Sequence, residues 1–345
     1  MIYLTTYFDK NYLSRGIVLY QSLVDTGTTF QLYVLCLDDF TKNYFQENKN
    51  KFSSITTITL TDLEQSDSEL LICKSNRNLV EYYFTLSPCL PLFLIEKFSL
   101  PHICTLDADI LFLHNPSKLF QYLNDFSIVI TPHKFSNEIK ELEKFGKYNV
   151  SFQIFKNDEI GIACLKRWRT QCIAWCSDFY DEQNNRFADQ KYLDEWTTLY
   201  PNKVKELNDA VSGLAPWNLN HYNIQLKNGQ FFSNNESIIF YHFHHFKLFS
   251  DKLATNGFYF YKARTFKAIY ALYLMYWNKL EKINQQLATQ KDVMQRTHLS
   301  GNNTTYQKFL DEGSAFVKLS NKNILYLDFQ TWKGRLLKYM LKLYA

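Results

Sequence analysis

Two carboxylates stand two positions apart where a short apolar run, His102–Leu106, gives way to Asp107-Ala108-Asp109. In extended backbone residues i and i+2 share a face, so both side chains can address one hard cation. Mn²⁺ or Mg²⁺ held there would neutralise charge on a diphosphate, the leaving group of an activated nucleotide. A D-x-D triplet alone is also common as a solvated turn. Here Thr105-Leu106 precedes it and Ile110-Leu111-Phe112-Leu113 follows, so the pair is set in apolar sequence, where carboxylates need partners.

A second group follows the apolar run Ile238-Ile239-Phe240-Tyr241, itself a strand candidate: His242, His244 and His245. In a strand His242 and His244 share a face while His245 points away. One imidazole could complete a carboxylate-rich Mn²⁺ site; the alternative is a set of polar residues emerging where a strand ends. Asp189 precedes the periodic Tyr192, Leu193 and Trp196 and reads as a helix cap, an active-site residue, or both. Asn149 reads as a turn residue or a contact to sugar hydroxyls. Residues 213–219 (GLAPWNL) read as a turn with an exposed aromatic, so Trp217 either stacks on an acceptor sugar or belongs to the core.

The elements that must position these groups alternate. Ile2–Phe8, Gln31–Leu37, Ile55–Leu60, His102–Leu106, Ser127–Thr131 and Val150–Phe155 read as strands. Asn11–Leu23 carries apolar residues at helical spacing, Asp38-Asp39 is a plausible cap, and Asp158–Cys176 reads as a helix. The stretch Val80–Lys97 reads as a long helix broken at Pro88 or Pro91. Strands separated by helical crossovers imply an α/β fold with a mainly parallel sheet and ligands at the strands' carboxyl ends. Beyond residue 255 the aromatic-rich Tyr261–Gln290 and Thr331–Tyr344 read as helices. The expected division is therefore an α/β domain over 1–255 and a helical extension over 256–345.

Composition excludes several function classes. The 345 residues are 46% hydrophobic with a net charge of +4, the balance of a globular chain. The ten glycines are never closer than eleven positions, which excludes G-x-G-x-x-G, the Walker A loop and G-x-S-x-G together. A bound nucleotide must be held without a glycine cradle. Seven cysteines form no C-x-x-C pair and sit among apolar neighbours, as buried reduced thiols do. The opening residues show no signal peptide, and the apolar uncharged run Tyr82–Ile95 is too short to span a bilayer, so a cytoplasmic protein is expected. Residues 315–345 hold a net +5 and the rest sum to −1, which argues against a broad nucleic-acid surface.

Cys104–Pro116 (CTLDADILFLHNP) resembles the "YLDADxLxxxNP" segment of GT-A nucleotide-sugar glycosyltransferases. The likeness is greatest to the family-8-like enzymes, the glycogenin and bacterial lipooligosaccharide sugar transferase type, as a divergent envelope-glycan branch. Four more segments fall in that family's order. Thr5-Thr6-Tyr7 through Asn11 and Tyr12 is similar to the opening strand and loop around the nucleobase. Tyr148-Asn149-Val150-Ser151-Phe152 is similar to "FNxGv", whose Asn faces the donor sugar. Asp189-Gln190 with Tyr192-Leu193 is similar to "DQxxLN" beside the reacting carbon. Tyr241–Lys247 (YHFHHFK) is similar to "HFxGxxKPW". Ser151 and His245 replace family glycines, the arginine usual before the D-x-D segment is absent, and Lys247 is displaced by one position with no Pro-Trp after it.

The resemblance implies a GT-A, Rossmann-like mixed sheet and a metal-dependent transferase that moves a hexose from a nucleotide-diphosphate sugar, a UDP-sugar favoured, to a glycan or lipid-linked glycan. It implies Asp107, Asp109 and His242 as metal ligands, and Thr5, Thr6, Tyr7, Asn11, Ala108, Asn149, His244 and Lys247 as further donor contacts. Asp189 and Gln190 would act at the reacting carbon, and retention at that carbon is implied; an inverting enzyme would use Asp189 as base. The alternative class is an inactive glycan-binding scaffold on the same fold. The tail adds a membrane expectation. As a helix over 331–344, Arg335, Lys338 and Lys342 fall within about 60° of one another. Trp332, Leu336, Tyr339, Met340 and Leu343 lie opposite, a pattern that fits docking on an anionic bilayer or packing on the domain.

Overall fold

The computed structural model describes residues 1–288 and 313–331. Period-two burial builds its sheet: in strand β2 (Phe30–Cys36), Leu32, Val34 and Cys36 enter one core while Tyr33 and Leu35 enter the other. A strand buried on both faces needs cover on both sides, which the helical crossovers supply. Strand β1 (Ile2–Phe8) leads to helix α1 (Leu13–Asp25), and β2 leads to α2 (Asp39–Glu47) and β3 (Ile55–Thr59). Asp38 caps α2 by accepting from the Thr41 amide at 2.8 Å, as its place in the sequence predicts.

Short helices α3 (Leu60–Ser66) and α4 (Ser68–Cys73) precede α5 (Leu79–Phe98). This helix is continuous, contrary to the expected break: both Pro88 and Pro91 lie inside it. Each proline removes an amide donor. The helix persists because an Asn78–Glu81 capping box secures its start and Leu86, Leu90, Leu94 and Ile95 are buried under the sheet. Strands β4 (His102–Leu106) and β5 (Ile110–Phe112), helix α6 (Ser117–Phe120), and strands β6 (Ile128–Pro132) and β7 (Tyr148–Lys156) follow. Helix α7 (Glu159–Ala174) is capped by Asp158 through the Gly161 amide at 2.9 Å. Then come α8 (Trp196–Leu199) and β8 (Val204–Glu206).

The main sheet runs β3-β2-β1-β4-β7-β6-β8. β3, β2, β1 and β4 are mutually parallel, β7 is antiparallel to β4 and β6, and β8 is parallel to β6. This is the mixed, mainly parallel α/β sheet that the sequence implies. All seven cysteines are free and buried. No helix among the described residues is long and apolar enough to cross a membrane.

Strands β9 (Ile224–Lys227), β10 (Gln230–Ser233) and β11 (Glu236–Ser237) form a small antiparallel sheet. β12 (Phe240–His242) pairs antiparallel with β5, and β13 (Leu253–Thr255) follows. Helix α9 (Lys267–Ala288) begins six residues later than its periodicity suggests, because left-handed Gly257 and Lys262 turn the chain before it. Its Leu272, Tyr276 and Leu280 share one core with Leu13 and Ile17 of α1. The region after 255 also carries a hairpin the sequence did not indicate, β14 (Ser314–Ser320) and β15 (Asn323–Asp328), with β14 paired to β13. The terminal helix expected over 331–344 lies outside the described residues.

Candidate active site

The β4–β5 connection holds the first two carboxylates. β4 ends at Leu106, and the Ile110 amide donates to the Asp107 carbonyl at 3.3 Å, so a turn, not extended backbone, brings Asp107 and Asp109 together. The Asp107 amide donates to the Ser151 carbonyl at 3.0 Å, which ties this turn to β7. The third group arrives from far along the chain. The β5–β12 ladder sets His242 opposite Ile110, and the Phe243 amide donates to the Asp109 carbonyl at 3.0 Å. His242 Nε2 then lies 3.1 Å from Asp109 Oδ1 and 3.5 Å from Asp107 Oδ2. One ligand atom from each of the three residues falls within 4.8 Å of the others.

Two hard oxygen donors and one imidazole at that spacing suit Mn²⁺ or Mg²⁺. His242 Nδ1 is buried without a hydrogen-bond partner. Electrostatics bind the three together. Burial opposes the Asp109 carboxylate, but the charge and hydrogen bond of His242, with His244 and Arg15 beyond, outweigh it and hold the carboxyl well below its usual range. Burial likewise favours a neutral His242 ring, yet Asp109 and then Asp107 raise its pKa. Asp107 is pushed up, by burial first and by Asp109 in smaller part, against the pull of His242. The Asp107 side chain keeps 40% of its surface exposed against 16% for Asp109, so Asp107 stands at the mouth of the group.

Thr5, Thr6 and Tyr7 of β1 share a cleft with Asp107, Thr105 and Gln153, roofed by Ser87, Leu90 and Pro91 of α5. Thr5 Oγ1 donates to the Tyr33 carbonyl at 3.1 Å, whereas Thr6 Oγ1 is buried and unpartnered. Tyr7 Oη and Ser87 Oγ are 3.0 Å apart. Ser87 lies close enough to the carboxyl of Asp189 to favour its charged form, but burial outweighs this and pushes that group up to about 7. Asp189 is only 1% exposed, and its Oδ2 has no partner. It does not cap the turn that follows it, since its side chain makes no capping bond. The cap reading is therefore corrected: the carboxyl faces inward, toward Ser87.

Other expected residues are placed less simply. Asn149 Nδ2 donates to the Thr131 carbonyl at 3.1 Å, and its Oδ1 accepts from the Ser151 amide at 3.1 Å and the Ser151 hydroxyl at 2.5 Å. Serine in place of glycine thus ties Asn149 into β7. Gln190 Nε2 donates to the Phe145 carbonyl at 3.0 Å. Asn11 bonds Asp9 in the loop after β1, and Ala108 is buried between the two aspartates. Trp217 is not exposed as its turn suggests but takes the alternative of a core residue. It is 4% exposed, edge-on to His133, His242 and His244 at centroid separations of 5.1, 5.3 and 5.3 Å, because the Asn218 side chain pins its turn to Ala215 and His133.

β12 ends at His242, so His244 and His245 follow in a turn, with His245 at φ +62°, and strand alternation does not extend to them. The His244 ring still lies 5.4 Å from that of His242, and its pKa is lowered, first by burial. Lys247 is exposed, and its backbone pairs with Thr255. Ser87 and Gln153 were not anticipated. Ser87 is masked by the apolar run of α5, and Gln153, which accepts from Thr105 Oγ1 at 2.7 Å, by strand periodicity.

No family model matches the chain. Two proteins of Bacillus subtilis (strain 168) are similar to it. The uncharacterized protein YfnD is 27% identical over 276 residues, covering 79% of this chain and 87% of that one. The uncharacterized protein YfnF is 28% identical over 255 residues, covering 71% and 82%. Among solved structures, galactosyltransferase LgtC with donor and acceptor sugar analogues superposes with a TM-score of 0.45 at 16% identity, covering 70% of this chain and 86% of that one. Mouse xyloside xylosyltransferase 1 gives 0.45 at 11% identity, covering 70% and 97%. The glycosyltransferase GlyE of Streptococcus pneumoniae TIGR4 gives 0.42 at 13%, covering 62% and 46%.

Proposed function

We propose that this chain is a metal-dependent glycosyltransferase of the GT-A type, moving a hexose from a nucleotide-diphosphate sugar to a glycan or lipid-linked glycan. The observation that carries the reading is the Asp107–Asp109–His242 cluster beside the β1 cleft. Asp107, Asp109 and His242 would hold Mn²⁺ or Mg²⁺, which supplies positive charge to a departing diphosphate. The exposed Lys247 would add to that charge, and His244 would border it. Thr6 Oγ1, buried and unpartnered, supports a contact from β1 to the donor, for which UDP is the favoured base.

Asp189 and Gln190 form the proposed wall beside the reacting carbon. A buried carboxyl beside Ser87, in its ionised form, suits stabilisation of positive charge at that carbon in a retaining reaction. The same near-neutral carboxyl also suits a general base, so an inverting transferase is the second reading. The anomeric configuration of the product, read by NMR, decides between them. A cell-envelope role and docking of the 331–344 segment on an anionic membrane belong to this proposal. Co-sedimentation with anionic vesicles, with and without that segment, tests the latter.

The main test is nucleotide release from UDP-, GDP- and CMP-sugars. Release with one of these that requires Mn²⁺, stops in EDTA and is absent in Asp109→Ala supports the proposal. Mn²⁺ binding with no turnover of any donor, beside binding of glycans, would favour an inactive scaffold.

A further inference from the structure

Arg15, on the first turn of α1, reaches a segment 231 positions away: its Nη2 donates to the Phe246 carbonyl at 3.1 Å. The guanidinium carbon sits 4.5 Å from the centroid of the Tyr12 ring. The Phe246 amide donates to the Phe243 carbonyl at 3.0 Å, and the Phe243 amide to the Asp109 carbonyl at 3.0 Å. Three hydrogen bonds in succession therefore fix this guanidinium against the backbone of the metal cluster, with Phe243 directly after His242. Its positive charge is felt at Asp109 and at the Tyr276 hydroxyl, which is buried and unpartnered. Among the described residues Arg15 pairs with no carboxylate, and one carbonyl occupies one of its five donors.

We infer that Arg15 binds the diphosphate of the nucleotide sugar. The inference rests on the transferase reading above and adds to it the residue that takes the phosphate oxygens. Charge supplies the reason. Two carboxylates offset much of a divalent cation's charge, so the metal centre alone leaves most of a diphosphate's charge unbalanced. A further fixed cation would complement it, and with the chain's glycines at least eleven positions apart no glycine-rich loop takes that part. A guanidinium held over the Tyr12 ring, with donors beyond the one given to Phe246, matches phosphate oxygens in a way a mobile ammonium does not. Lys247 follows Phe246 in sequence, so the two cations flank one residue.

The test is calorimetric titration of the full chain with Mn²⁺ alone, then with inorganic pyrophosphate in saturating Mn²⁺. Arg15→Met keeps an apolar stem on Tyr12 and removes the charge. It should bind Mn²⁺ as the unaltered chain does and lose about tenfold or more in pyrophosphate affinity, the loss expected for hydrogen bonds to a charged group. Arg15→Lys should recover part of that loss. If Arg15→Met does not fold, Arg15→Gln, which keeps a polar donor without the charge, makes the same comparison. Unchanged pyrophosphate affinity without the charge would show that Arg15 is a strut and overturn the inference while leaving the transferase reading intact. Failure of the unaltered chain to bind pyrophosphate with Mn²⁺ would overturn both.

Discussion

Asp109 and His242 meet at 3.1 Å across 133 positions of sequence, and each raises the charge of the other. Opposite charge draws these two groups of the proposed metal cluster together. Mn²⁺ at about a hundred times its dissociation constant should then stabilise the protein by about 2.7 kcal/mol. Asp109→Ala should abolish the accompanying rise in melting temperature. An equal rise in the variant would place the metal elsewhere.

Asp189 gives stability a pH dependence of known sign. An unfolded aspartate titrates near ~4, whereas the buried one is pushed up to about 7. Between those values the native state holds a proton that the unfolded chain has lost, so this group's contribution falls as pH rises from about 4 to about 7 and is level above. Asp189→Asn is neutral throughout. Relative to the unaltered chain it should gain stability between pH 5 and pH 8 in urea melts; a difference constant across that range would mean the carboxyl is ionised in both.

Asn149 satisfies a backbone carbonyl, a backbone amide and a hydroxyl inside β7 and β6. Asn149→Ala leaves buried polar groups unpaired and should destabilise by about 1–3 kcal/mol. Ser151→Gly removes only the hydroxyl partner. Equilibrium unfolding should show the second change to be the milder, and equal losses would deny Asn149 its structural share.

Two glycines should respond very differently to alanine. A Cβ on Gly161 would lie 2.1 Å from the Lys156 carbonyl oxygen, so α7 would have to move off the end of β7. Gly161→Ala should cost about 3 kcal/mol. Gly229 has φ +78° and nothing within 4 Å of an added Cβ, so its alanine variant should lose only about 1 kcal/mol, from backbone strain. Urea midpoints of the two variants check the ranking.

What the sequence made legible was local. The cap at Asp38, the alternation of strands and helices from β1 to α7 and the pairing of Asp107 with Asp109 each depend on a few neighbouring residues, although a turn and not extended backbone makes that pairing. Pairing over long separations left little local trace. The β5–β12 ladder joins residue 110 to 242, and β14 returns to β13 after the whole of α9, so neither could be read from periodicity. Side-chain direction failed in a related way. Asp189 has the sequence setting of a cap, but burial against α5 turns it inward, and Trp217 follows a proline yet is enclosed by histidines.

The ladder between β5 and β12 has only three residue pairs, Phe240 with Phe112, Tyr241 with Leu111 and His242 with Ile110. A shift by one position would exchange the imidazole for Tyr241 or Phe243, both aromatic and both fully buried where they now stand. Hydrophobicity alone therefore discriminates poorly among these alignments. Ligation does discriminate, because only one alignment presents nitrogen to the two aspartates. An ion taken up while the chain is still settling would select that alignment, so the metal proposed for turnover would also proofread the fold.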